Sequence, residues 1–437
     1  MRSGTLKILD LFSGAGGFSL GFELVKNGRN QKAFHTIVAV DNDKFACQSF
    51  RKNFPETEMI EGDITKLSVQ NKIIKKCKKK VDIIIGGPPC QSFSTIGPRS
   101  GYGVKNARFR KDKRDRLYLD FVKIVKEVRP QFIVIENVMG ILSKKDGRKT
   151  PFVKKIIKSL EKLGYSFEIE GRDEKYQILN SVNFGVPQRR KRVLIIGNRI
   201  GLKNSIINPT HYDPEHEQPV KELKKCITLK EAIGDLPRLK AKITMTGIKE
   251  EDIEKIEKLN EAINSGVCEA DYHIKTIAEN SNFLHFVSSG IFTGKAPDVL
   301  RDHVARSQQI TDIQLFGLMK PGETARDFIN NGYTENEKKL IKYDMSSFYD
   351  KYRKQKWNGP ATTLFAHLEK DGNRFIHPDG KQARTLTVRE AARIQSFPDD
   401  FLFEGPYNKK FRQIGNAVPP LLSYGVGHAI MNLLIGD

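Results

Sequence analysis

The segment Pro88-Pro89-Cys90-Gln91 follows the apolar run Val81 to Gly87 and would aim one thiol from the mouth of a buried strand. The plain alternative is an inert core thiol, because cysteine is among the most buried residue types. Two prolines fix the approach of the chain and remove two backbone donors. To attack an electrophile Cys90 must be a thiolate, and a strand end near backbone N–H groups and arginines lowers a thiol from its ordinary value of about 8.5. A carboxylate, Glu136, closes a second apolar stretch, Phe132-Ile-Val-Ile-Glu136-Asn137-Val138. Burial favours the protonated form of a carboxyl, which suits donation to a ring nitrogen; a helix cap or an arginine partner is the structural alternative. The cluster Gln188-Arg189-Arg190-Lys191-Arg192 leads into a third apolar stretch, Val193 to Gly197. On an extended segment Gln188, Arg190 and Arg192 share one side. Two guanidiniums and an amide there are expected to fix Glu136 and to bind phosphate or base oxygens.

A ligand turn accompanies these groups. Phe12-Ser13-Gly14-Ala15-Gly16-Gly17-Phe18 reads as a strand turning into a helix through glycines, which lets backbone approach a ligand closely. Ser19 stands where a dinucleotide fingerprint needs its third glycine, which disfavours an NAD-linked dehydrogenase. Asp41, ending the next strand, is placed to hold ribose hydroxyls. Asp63, in Gly62-Asp63-Ile64, is placed to accept from an adenine amino group. A nucleoside cofactor without a diphosphate fits this series, and S-adenosyl-L-methionine (AdoMet) is the obvious one. Between Ser92 and Arg116, glycines at 97, 101 and 103 alternate with basic residues such as Arg99, Lys105 and Arg110. That pattern suggests a lid closing over a phosphate backbone, against the alternative of a solvated loop.

The elements that must carry these residues alternate along positions 1–200, the pattern of a parallel α/β sheet. Strands are expected at 6–12, 36–41, 58–61, 81–86, 132–137 and 192–197, with further extended pieces near 166–170 and 175–182. Helices are expected to begin at Ser19, Lys44, Leu117 and Pro151. Right-handed crossovers put the ends of the first, fourth and fifth strands on one edge. Prolines at 209, 214, 219 and 237 open a less periodic region, 201–383, with a charged helix expected over Lys249 to Ala262. Regular structure is expected to resume with a threonine-capped helix ending near Gln395, then a turn at Gly415 to Pro420 and a closing helix over Leu421 to Leu434. The expected architecture is a doubly wound α/β sheet, 1–200 completed by 384–437, with a smaller irregular domain, 201–383, inserted.

Charge points to the partner. Lys+Arg 74 against Asp+Glu 52 gives a net +22 over 437 residues, which favours a polyanion, most simply nucleic acid. The 5 cysteines are scattered without a C-x-x-C pair, which suggests neither a disulfide framework nor a zinc site. No metal, no membrane span and no signal peptide are expected, and a cytoplasmic setting follows.

With those residues assembled, the chain resembles the C5-cytosine DNA methyltransferases across most of 5–200 and 384–430. Asp10 to Phe18 resembles the family's AdoMet turn, Pro88-Pro89-Cys90-Gln91 its catalytic motif and Glu136-Asn137-Val138 its second catalytic motif. Gln188 to Arg192 is similar to Gln-x-Arg-x-Arg. Arg384 to Pro398 is similar to the motif that organises the recognition domain, and Gly415-Asn416-Ala417-Val418-Pro419 to the last motif. The resemblance implies an AdoMet-dependent methyltransferase sheet, a target-recognition domain in 201–383 and a double-stranded DNA substrate. It also implies a restriction–modification or orphan prokaryotic setting, with any cognate endonuclease acting independently of a monomeric enzyme. It implies a catalytic set of Cys90, Glu136, Gln188, Arg190 and Arg192. Phe12, Ser13, Gly14, Gly16, Gly17, Phe18, Asp41, Asn42, Asp63, Ile64, Pro89, Asn416 and Ala417 are implied around the cofactor. The family often has Glu at the position of Asp41 and an aromatic residue at that of Asn42, so adenine stacking is expected from Phe18 or another ring. An RNA-modifying branch carries Cys-Phe-Thr; Cys226-Ile227-Thr228 matches it only superficially, because it opens a separate helical segment, Leu229 to Leu236.

Overall fold

The computed structural model describes residues 4–89, 117–145, 150–245, 250–254, 256–258, 272–273, 282–343 and 350–435. It divides into two compact units. The first holds 1–186, 190–225 and 417–437, the second 187–189 and 226–416.

The first unit is built on seven strands: β1 (Leu6–Leu11), β2 (Phe34–Asp41), β3 (Glu58–Glu61), β4 (Ile83–Gly86), β5 (Phe132–Val138), β6 (Gln177–Asn180) and β7 (Lys191–Asn198). Their spatial order is β3-β2-β1-β4-β5-β7-β6. Ile83, Ile84, Ile85 and Ile133 to Ile135 are fully buried, as strands covered on both faces require. The helices are α1 (Gly17–Glu23), α2 (Lys44–Asn53), α3 (Leu67–Cys77), α4 (Leu117–Val128), α5 (Gly140–Ser143) and α6 (Phe152–Glu161). Alternation along the strands sorts the two faces. Leu9, Leu11, Ile84 and Ile133 pack with Ile73 of α3, Ile124 of α4 and Ile156 of α6. Ile8, Ile83, Ile85 and Val134 pack with Phe18 and Phe22 of α1 and with Leu422, Val426 and Ile430 from the C-terminal helix. The sheet is therefore doubly wound, as expected.

Several elements depart from expectation. The sheet is mixed, because β7 runs antiparallel to both β5 and β6. The short connection 181–190 has no room for the crossover that a parallel neighbour needs. Helix α3 was not anticipated, since lysines and Gln70 interrupt its apolar face even though Gln70, Ile73 and Cys77 are buried. The stretch 166–170 contributes isolated bridges rather than a strand.

The second unit carries short helices: α7 (Leu229–Ile233), α8 (Asn282–Ser288), α9 (Ile310–Leu318), α10 (Ala325–Asn330), α11 (Glu335–Lys338), α12 (Val388–Ile394) and α13 (Tyr407–Asn416). Of the charged helix expected over Lys249 to Ala262, the described part is a 3-10 turn at Glu250–Asp252 followed by a few helical residues. Thr228 caps α7 through a capping box, so Cys226-Ile227-Thr228 is a helix entry. Residues 384–416, expected with the sheet, pack in this unit. The reason is a buried polar network around α12. Arg384 donates to both oxygens of Glu390 at 2.8 and 2.7 Å, and Arg393 to both oxygens of Asp399 at 2.8 and 2.6 Å. Arg393 also reaches Asp235 at 2.7 Å, and Arg389 donates to the Arg301, Pro398 and Phe401 carbonyls. All three arginines are fully buried.

Gly415 and Asn416 end helix α13 instead of forming a turn, and α14 (Pro420–Ile435) returns to the first unit. The segment Tyr407–Ile435 is apolar enough to cross a membrane by composition, but it breaks at 417–419, and α14 buries one face on α1. A β-carbon at Gly21 would stand 2.2 Å from the Pro420 carbonyl oxygen, so α1 and α14 meet backbone to backbone. Ser423 Oγ donates to the Phe18 carbonyl at 2.6 Å there.

Candidate active site

The carboxyl ends of β1 to β5 and the start of β7 share one edge of the sheet. Register sets this directly: Val138 of β5 faces Arg192 of β7, and Gly86 of β4 faces Ile135 of β5. Antiparallel β7 thus delivers Arg192 to the edge where Glu136 stands near the end of β5. The two form an ion pair, Nε to Oε1 at 2.7 Å, with both side chains nearly buried. Burial lowers the proton affinity of Arg192, and Glu136 opposes that loss.

The segment that leads to Cys90 lies against the same carboxylate. A β-carbon at Gly87 would stand 3.2 Å from Glu136 Oε2, so only glycine leaves that oxygen uncrowded. Asn137 Nδ2 donates to the Pro88 carbonyl at 3.1 Å and ties the ends of β4 and β5 together. Asn137 and Gly87 had no role assigned from the sequence; the signal was their adjacency to Glu136 and Pro88. Half-buried Pro89 is the last described residue of this segment, and Cys90 lies outside the described residues, as does the glycine-rich basic stretch 92–116. Among the described cysteines, Cys47 and Cys77 are buried with their thiols pushed up to about 12 by burial, and Cys226 is buried as well. None of these three suits a nucleophile.

The remaining clamp residues separate. Arg190 is buried and donates Nη2 to the Ala417 carbonyl at 3.1 Å, which ties the returning chain to the sheet. Burial, with Arg192 beside it, holds its proton affinity well below that of an ordinary arginine. Gln188 does not join Glu136 in a clamp. It is fully buried in the second unit, accepting from Leu364 N at 2.8 Å and donating to Gln395 Oε1 and to the Ile394 carbonyl. The alternation expected of an extended segment fails because the chain passes between the units there.

The glycine turn has an internal logic. Phe12, Gly14 and Gly16 take left-handed backbone, with φ of 62°, 56° and 101°. Ser13 N donates to the Val40 carbonyl at 3.1 Å, and Gly14 N to Asp41 Oδ2 at 2.8 Å, so the ends of β1 and β2 are stitched together. A β-carbon at Gly16 would stand 2.5 Å from the Phe54 ring, whereas one at Gly14 meets nothing within 4 Å among the described residues. The turn is packed on one side and open on the other. Asp41 also accepts from Asp43 N at 2.8 Å, and burial raises its proton affinity. Asn42 beside it is exposed. Asp63 accepts from the backbone and hydroxyl of Thr65 through Oδ1, at 2.9 and 2.8 Å, and Ile64 is buried. Gly17 and Phe18 are buried in α1, Ser13 is buried in the turn, and Asn416 is exposed at the end of α13. Below the turn lies an acid with no role assigned from the sequence. Asp10 is fully buried, accepts from Ser19 Oγ at 2.7 Å and leaves Oδ1 without a hydrogen-bond partner among the described residues.

A model of the C-5 cytosine-specific DNA methylase family matches residues 6–432. The chain belongs to this family. It is a DNA (cytosine-5-)-methyltransferase, and the family's methyl donor is AdoMet. Among its relatives, the type II methyltransferase M1.HphI of Haemophilus parahaemolyticus is 30% identical over 430 residues, covering 98% of this chain and 87% of its own. M.DdeI of Desulfomicrobium norvegicum is 31% identical over 442 residues, covering 97% and 88%. A solved structure of a prophage-encoded Escherichia coli protein, described as a candidate DNA modification methyltransferase, superposes with a TM-score of 0.65 at 24% identity. It covers 99% of this chain and 100% of that one, and it bears on the fold alone.

The open flank of Gly14, together with the carboxylates of Asp41 and Asp63, fits a nucleoside donor. The packed flank of Gly16 fits a turn held rigid against Phe50 and Phe54.

Proposed function

We propose that Cys90 and Glu136 carry the methyltransferase reaction on a cytosine flipped out of duplex DNA, at a flipping cost of a few kcal/mol. The observation that carries this is the ion pair Glu136–Arg192 standing against Gly87, three residues before Cys90 in the chain. The Cys90 thiolate adds to C6, and its electron pair moves through the ring toward N3 and C5. Glu136 meets that charge with a hydrogen bond or proton at N3, and Arg192 fixes the orientation of its carboxylate. Bound AdoMet supplies an electrophilic methyl group. C5 takes that methyl, then loses its proton to a base, and Cys90 leaves C6 by β-elimination.

Phe12 to Phe18, Asp41, Asn42, Asp63, Ile64, Pro89, Asn416 and Ala417 are proposed to surround the donor. Asp41 takes the ribose hydroxyls through the lone pairs its backbone partners leave, and Asp63 takes the adenine amino group through Oδ2. Arg190 is proposed to order the catalytic edge by holding Ala417, and Gln188 to anchor the entry into the second unit. Residues 201–383 read the target from the grooves, where base edges carry the sequence information. The type II relatives support a role in restriction–modification, and the proposal adds a cytoplasmic setting, an endonuclease that acts separately and a monomeric enzyme.

The test is transfer of labelled methyl from AdoMet to duplex DNA, with tRNA and Cys90→Ala protein in parallel. Label in DNA that disappears with Cys90→Ala, followed by bisulfite sequencing, is the expected result and reveals the target. Substantial turnover by Cys90→Ala would remove Cys90 from the nucleophile role, and label in tRNA alone would replace DNA as substrate.

A further inference from the structure

The edge of the sheet opposite Glu136 has a pattern that methyl transfer does not use. Strands β1, β4, β5 and β7 are consecutive across the sheet, and β7 alone of the four is reversed. The start of β1, the turns into β4 and β5 and the exit from β7 therefore meet on this far edge. Each position carries exposed basic residues: Lys7, Lys79 with Lys80, Arg129 and Arg199. Backbone hydrogen bonds make them contiguous. Asp82 N donates to the Lys7 carbonyl at 2.9 Å, Gln131 N to the Asp82 carbonyl at 2.7 Å, and Arg199 N to the Gln131 carbonyl at 3.1 Å. Arg199 Nη1 also donates to the Arg129 carbonyl at 3.3 Å.

Acids also stand near this edge: Asp82 within it, and Glu127, which pairs with Lys78 at 3.6 Å. Asp82 accepts from Lys7 N at 2.9 Å and from Gln131 Nε2 at 3.0 Å, so its carboxylate is turned into the backbone. A second observation is conformational. Lys79 and Arg129 have φ of 62° and 53°, left-handed backbone in adjacent turns. Glycine is the default there, and an L side chain costs roughly 1–2 kcal/mol. The chain places a long cation at both turns instead.

We propose that this strip binds the phosphate backbone of a second DNA segment, distinct from the target duplex. Four strands spaced about 4.8 Å apart span about 14 Å. That length spans about four base steps of one DNA strand, at about 3.4 Å rise each. Glu136 stands four residues beyond Phe132, so at about 3.3 Å per residue roughly 13 Å of β5 separates it from the start of that strand. The strip and Glu136 therefore lie toward opposite ends of the same strand. Holding a second segment keeps the enzyme on DNA between targets and hands it from one segment to another. The proposal rests on the methyltransferase reading only for the identity of the polyanion.

The test is a combined variant, Lys79→Asn, Lys80→Gln, Arg129→Asn and Arg199→Gln; asparagine tolerates left-handed backbone, so both turns are kept. Binding of a duplex lacking target sites is followed by anisotropy between about 50 and 200 mM salt. The logarithmic salt slope is expected to become shallower by about 3–4, from four lost phosphate contacts at about 0.9 each. Methylation of a short single-site duplex should match wild type, while transfer between sites on separate duplexes slows. An unchanged salt slope would overturn the strip as a DNA surface, and so would a loss of binding confined to anionic lipid vesicles. Wild-type activity on the short duplex reports on the catalytic reading separately.

Discussion

Arg192 Nε lies 2.7 Å from Glu136 Oε1, joining the start of an antiparallel strand to the end region of a parallel one. The pair exists only because β7 is reversed: a parallel β7 would carry Arg192 to the far edge of the sheet. With side chains only 10% and 12% exposed, the two groups have little water to replace each other.

Arg192→Ala is accordingly expected to lower kcat about 100-fold, the scale of one lost electrostatic partner in a dry site. Arg192→Lys should recover only part of that loss, because an ammonium lacks the planar guanidinium donors. Glu136→Gln should lower kcat by about 100- to 10,000-fold with DNA binding retained. Steady-state kinetics beside a DNA-binding titration separates these outcomes; an equal fall in binding and turnover would point to a folding defect.

The two left-handed glycines of the cofactor turn should behave differently. Gly16→Ala puts a methyl 2.5 Å from Phe54 at a φ of 101°, so stability should fall by roughly 2–3 kcal/mol. Gly14→Ala meets open space, so its stability loss should stay near 1 kcal/mol while AdoMet affinity drops. Thermal unfolding with and without AdoMet distinguishes the two, and identical profiles would contradict the open flank.

Burial raises Asp10 to about 8, with Asp41 adding to the rise and Ser19 opposing it. The folded state therefore holds this proton more tightly than the unfolded chain. Its contribution is fully present below about pH 4 and is lost as pH rises toward 8, at up to about 1.4 kcal/mol per pH unit. Asp10→Asn, which keeps an acceptor for Ser19, should flatten that decline. Urea midpoints at pH 5, 6.5 and 8 test it, and parallel curves for the two proteins would refute it.

His377 in the second unit has the opposite sign. Burial, with Arg384 nearby, lowers it to about 3, although Glu390 Oε1 is 3.5 Å from Nε2. It folds neutral, so its contribution is complete above about pH 6.5 and is lost as pH falls toward 3. His377→Asn should remove part of the acid lability of this unit, read as a shallower loss of stability between pH 6 and 4. An unaltered acid limb would assign that lability to other groups.

The order of motifs along the chain was enough to determine the family, the doubly wound sheet and which residues stand at strand ends. The reason is local. Short β-branched runs such as Ile83-Ile84-Ile85 and Phe132 to Ile135, bounded by turn residues, read as buried strands, and glycines with Ser19 specify a tight turn without a dinucleotide fingerprint. Partnership was not legible. Gln188, Arg190 and Arg192 alternate identically in sequence, yet Gln188 bonds Leu364 and Gln395, Arg190 donates to Ala417 while feeling the charge of Glu136, and Arg192 forms the ion pair with Glu136. The placing of 384–416 in the second unit was equally hidden, because it depends on Arg393 meeting Asp235 more than a hundred residues away. Strand formation follows from local apolar periodicity, whereas the direction of β7 and the choice of ion-pair partner are set by which strand it joins, and only the tertiary structure decides that.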